Sequence, residues 1–70
     1  MENVTIYYDL GDATTFTRDD EARDAAGKEE AGAGTFLPTR TRDMTFRFDT
    51  EAEAEAAKKR LKDAGFRFMP

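Results

Sequence analysis

The sequence predicts an α+β domain: a small antiparallel or mixed sheet of four to five short strands, with one C-terminal helix packed on one face. Three observations predict it. Val4, Ile6, Tyr8 and Leu10 alternate with Thr5, Tyr7 and Asp9, the period of a strand with one face buried. Residues 50–65 carry the start, stripe and stop signals of a helix. Two short apolar strands, Phe46-Arg47-Phe48 and Phe66-Arg67-Phe68, flank that helix, each with an arginine between phenylalanines.

The first strand, 4–10, is dominated by β-branched and aromatic residues. Gly11-Asp12 follows, then a second strand-like run at 13–17. Glycine first in a two-residue turn predicts a β-hairpin that pairs Leu10 with Ala13 and sets Tyr7 opposite Phe16. Residues 18–34 are charged and rich in Ala and Gly, without a large apolar side chain. They read as a charged loop or as a weak helix lined by Ala22, Ala25 and Ala26, capped by Thr17 and stopped at Gly27. Residues 35–41 have strand composition, and Pro38 confines them to an edge or a bulge.

Met44, Phe46 and Phe48 predict an inward strand face. The helix after it is the best-specified element. Thr50 and Glu53 form a capping box, and Gly65 sits where a left-handed C-cap belongs. Glu51, Glu53 and Glu55 load the positive end of the helix dipole, and Lys58, Lys59, Arg60 and Lys62 the negative end. Glu55 and Lys59 are spaced as an ion pair. Ala54, Ala57, Leu61 and Ala64 form the stripe for burial. If the two Phe-Arg-Phe strands are neighbours they are parallel; a split arrangement with another strand between them is equally allowed. This strand–helix–strand end is broadly similar in pattern to ferredoxin-like modules.

Composition narrows the chemistry. One Val, one Ile, three Leu and six Phe in 70 residues make a lean core, expected to fold as a single domain over 1–70 of marginal stability. The chain has no Cys, and no His, Ser, Gln or Trp. Serine triads, cysteine–histidine dyads, and imidazole or thiolate metal sites are therefore excluded. Asp20 and Asp24 would share a helix face, but their spacing is not that of a calcium loop, and a solvated acidic face accounts for them. No enzyme activity, cofactor or metal is expected. No apolar run approaches the ~20 residues of a membrane span, and no signal-peptide core follows Met1. A cytoplasmic setting, without membrane association, is the expectation.

Two candidate surfaces remain. The acidic one comprises Asp19, Asp20, Glu21, Asp24, Glu29 and Glu30. With a net charge of −4, it suits a basic, nucleic-acid-binding surface of a target protein, as a charge mimic of phosphate. The function expected is that of a small inhibitor or regulator; small phage inhibitors of host systems, anti-CRISPR proteins among them, work in this way. The second surface is the sheet face opposite the helix, with Tyr7, Phe16, Arg47 and Arg67, which Arg40 and Arg42 extend. Rings among arginines are the ingredients of a base-stacking platform for single-stranded nucleic acid. A sheet covered on one side must also be polar on the other, which accounts for the arginines without any ligand. The net negative charge argues against direct nucleic-acid binding, and Tyr, Phe and Arg equally suit a protein interface, between protomers of a homodimer included.

Overall fold

β1 (Glu2–Asp9) is the strand that the alternation predicts, and it is followed by α1 (Asp19–Ala26), β2 (Gly32–Phe36), β3 (Thr41–Phe48), α2 (Glu51–Asp63) and β4 (Arg67–Phe68). The computed structural model describes residues 2–11, 16 and 18–69. Its sheet has four strands in the order β2-β3-β1-β4, every neighbouring pair antiparallel. β1 lies between β3 and β4, so the split alternative is the one adopted. The first half repeats it: β1 and β2 flank β3, with α1 as their connection. Two interlocked split strand–helix–strand units make the ferredoxin-like βαββαβ arrangement.

This topology corrects the expected hairpin. Both sides of β1 are occupied, and Tyr7 pairs with Asp43 on β3 and Arg67 on β4, not with Phe16. The run 13–17 that would have formed the hairpin, and the expected cap Thr17, lie outside the described residues except for Phe16, which is in no strand. A strand whose Val4, Ile6 and Tyr8 are all buried gains more as a central strand than in an edge hairpin. The expected strand at 35–41 divides. Phe36 ends β2, residues 37–40 turn, and Thr41 opens β3. Arg40 takes a left-handed φ of 51° there, and its carbonyl accepts the Leu10 N–H at 2.8 Å.

α2 follows its sequence signals closely. The Thr50 hydroxyl accepts the Glu53 N–H at 3.2 Å, and Gly65 is left-handed at φ 94°. Ala54, Ala57 and Leu61 are buried, and Ala64 packs at the edge of the core. The expected Glu55–Lys59 pair is replaced by Glu55–Lys58 at 3.2 Å. Large side chains on the sheet (Ile6, Met44, Phe46) meet alanines on both helices, so the helices lie close to it.

Residues 19–26 are helical, and α1 is a second helix on the same side as α2. Ala22 and Ala26 are buried, but polar contacts supply much of its anchoring. The Arg60 guanidinium donates to the Ala25 and Ala26 carbonyls at 2.6 and 3.2 Å, and Arg18 donates to the Ala64 carbonyl at 3.0 Å. Each helix thus has its C-terminal carbonyls, the negative end of its dipole, met by an arginine from the other helix or from the residue just before it. No helix among the described residues is long and apolar enough to cross a membrane.

Candidate functional site

With both helices on one side, the other side of the sheet is left uncovered. Register lays out its residues in rows. Gly34, Asp43, Tyr7 and Arg67 form the middle row across all four strands. Phe36, Thr41 and Asp9 lie on one side of it, and Gly32, Thr45 and Thr5 on the other. The Thr5 and Thr45 hydroxyls are 2.9 Å apart. A groove of about 540 Å³ crosses this face, lined by Tyr7, Phe36, Thr39, Thr41, Asp43 and Met69. Two of its apolar residues are exposed, Phe36 at 59% and Met69 at 50%; Leu37, next in the chain to Phe36 but outside the lining, is 71% exposed.

Each groove residue has a local reason for its position. Tyr7 and Asp43 point outward because Ile6, Tyr8 and Met44 on either side of them point inward. Phe36 is the last residue of an edge strand, beyond the reach of either helix. Gly32 and Gly34 share the outward side of β2. Neither has a left-handed φ, a side chain at Gly32 would meet nothing within 4 Å, and one at Gly34 would meet only the Asp43 carboxylate at 3.5 Å. The backbone does not require glycine at these positions; their effect is to leave β2 bare beside Asp43.

The charges on this face are unequal. The Arg67 guanidinium lies 4.7 Å from the Tyr7 ring centroid and pairs with Asp9 at 2.7 Å. Arg47 is exposed at the far end, beside Asn3. Asp43 is half-buried, and among the described residues its carboxylate has neither a hydrogen bond nor an ion pair.

Of the predicted sheet-face residues, Tyr7, Arg47 and Arg67 are therefore brought to one surface. Phe16 is not. It lies on the helix side, its ring 3.9 Å from the Arg42 guanidinium. Arg42 also points inward, because Thr41 and Asp43 take the outward positions. There it donates to Asp19 at 2.8 Å and to the Thr35 hydroxyl at 3.1 Å. Arg40 serves the turn, donating to the Gly11 carbonyl at 2.5 Å.

The acidic candidates divide as well. Asp19 is only 5% exposed; it accepts from the Tyr8 hydroxyl at 2.5 Å and from Arg42. Burial and the adjacent Asp19 carboxylate push the Tyr8 hydroxyl above its ordinary pKa, and Asp19 pushes the Arg42 guanidinium up. Glu30 accepts two hydrogen bonds from Arg23, at 2.7 and 2.8 Å, which hold its carboxyl down at about 2. Asp20 also pairs with Arg23, and Glu21 with Arg18. Asp24 and Glu29 are exposed. Much of the acidic run thus secures α1, and Asp19 is not at the surface. No group of three or more carboxylates among the described residues converges on a point that could hold a metal.

Sequence reading missed Phe36, Met69 and above all Asp43. The inward Met44 and Phe46 were signal enough for Asp43, since extending their alternation back by one residue turns it outward beside Tyr7. No protein-family model, curated protein or solved structure matches this chain. The site is accordingly read from its own geometry.

Proposed function

We propose that this chain is a non-catalytic protein-binding module that regulates its target by occupying a basic surface, and that its contact is made by the uncovered sheet face. The observation that carries this reading is the groove on that face, lined by Tyr7 and by the exposed Phe36 and Met69. Aromatic and methionine side chains in a depression are what protein interfaces bury at their centres. Asp43, the charged residue of the groove lining, offers a basic partner surface its counter-charge. The same face suits single-stranded nucleic acid less well. Tyr7 is the one ring in its middle row, and Arg67 lies against it while held by Asp9.

The reading is tested by affinity capture from cells of the source organism, with three forms compared side by side. Phe36→Asp with Met69→Asp should abolish capture of the partner. Asp20→Asn, Glu21→Gln, Asp24→Asn and Glu29→Gln together should leave it within about threefold. The opposite pattern would return the contact to the acidic helix, and retention by both forms would remove this face from consideration.

A further inference from the structure

Resting on that reading, we infer that the groove receives a lysine or arginine side chain of the partner, its cationic head on the Asp43 carboxylate and its aliphatic stem along Tyr7, Phe36 and Met69. Asp43 is the single charged residue among those lining the groove. Asp9, Asp19 and Glu30 are answered within the fold, by Arg67, Arg42 and Arg23, and Asp24 and Glu29 are exposed to water rather than half-buried. Asp43 has no such partner among the described residues, although it sits on a central strand within the row that Tyr7 and Arg67 complete.

A half-buried carboxylate between apolar groups is partly desolvated, so a cation reaching it gains more than it would at an open surface. The long stem of a basic side chain matches the remaining walls, because it packs on rings and thioethers while its head stays polar. Gly32 and Gly34 leave the approach along β2 clear, so an extended partner segment can lie close to the sheet. The Thr39 and Thr41 hydroxyls, 2.8 Å apart at the groove's end, offer hydrogen bonds to such a segment's backbone.

The test is an amide-NMR titration of the full chain with a pentalysine peptide, and with pentaglutamate as the control. Pentalysine should shift the Gly34, Thr41 and Asp43 amides, and Asp43→Asn should weaken its binding about tenfold or more. Asp24→Asn with Glu29→Gln should change it less than twofold. A thermal melt of Asp43→Asn matching wild type establishes that the variant is folded. Unchanged pentalysine affinity in Asp43→Asn, or shifts confined to α1, would overturn the inference. So would a dimer in sedimentation at micromolar concentration that protects Tyr7 and Phe36, since a second copy would then fill the groove. Capture of the partner separates the two levels. If Asp43→Asn captures normally while Phe36→Asp with Met69→Asp does not, the basic anchor falls and the module reading stands. If all of them capture normally, both fall.

Discussion

The two sides of the sheet use the same kinds of residue differently. Tyr8 and Arg42 face the helices, and Tyr7 and Asp43, their neighbours in the chain, face outward. On the helix side a tyrosine, an arginine and a carboxylate close into a network around Asp19. On the open side a tyrosine and a carboxylate lie side by side, and among the described residues the carboxylate is unanswered. A buried carboxylate without donors would cost several kcal/mol, so Asp19 must be satisfied from within. A half-exposed one can keep its water until something displaces it. The difference teaches that an acid's role in this chain follows from its burial and its neighbours in the fold: Asp19, 5% exposed, is held by Tyr8 and Arg42, while half-buried Asp43 has no such partner among the described residues.

Paired substitutions sharpen that contrast. The largest effect belongs to the core. Phe46 is fully buried, and Phe46→Ala should lose about 3–5 kcal/mol in urea unfolding. Phe36→Ala should change stability by no more than about 0.5 kcal/mol, because its side chain is already mostly exposed. Next come the two carboxylates. Asp19→Asn weakens the partners of Tyr8 and Arg42 near the surface of a small domain and should cost about 2 kcal/mol, less than breaking a deep pair. Asp43→Asn should be near neutral. A comparison of glycines follows. Gly65→Ala forces a side chain into a φ of 94° and should cost about 1 kcal/mol. Gly32→Ala should cost nothing and add up to about 0.5 kcal/mol, by restricting the unfolded chain.

The smallest effects are in pH. The Glu30 carboxyl is held down at about 2 from an ordinary 4.5, so its contribution is complete above 4.5 and is lost as pH falls toward 2. Glu30→Gln should flatten the melting temperature across that range. Tyr8 is shifted upward, so its contribution is complete below the ordinary tyrosine pKa near 10 and declines above it, as the unfolded chain ionises first. Tyr8→Phe should remove that alkaline decline.

Much of the fold was legible because some segments carry local signals. Thr50 and Gly65 specify the ends of α2 within one turn: the Thr50 hydroxyl accepts the Glu53 N–H, the first half of the expected capping box, and Gly65 is left-handed. The alternation of β1 was equally plain. What was hidden depends on distant contacts. Gly32 and Gly34 have no strand preference, and β2 exists because β3 pairs with it. Gly11-Asp12 looked like a hairpin turn, but the long β1–β3 register prevailed over that local signal. The alanine stripe of α1 was visible, while Arg60 and Arg18, which reach across to secure it and α2, stand tens of residues away from their acceptors. The same limit applied to the site. Tyr7, Arg47 and Arg67 followed from strand period, but Phe36 and Met69 reach the groove only through pairing order.

The most direct test of the uncovered face as the contact surface is photo-crosslinking in cells, with benzoylphenylalanine placed at Phe36 or, on the exposed side of α2, at Ala52. Adducts to a single basic protein from position 36, with none from position 52, are the predicted result. Adducts from position 52 alone, or from neither position, would contradict it.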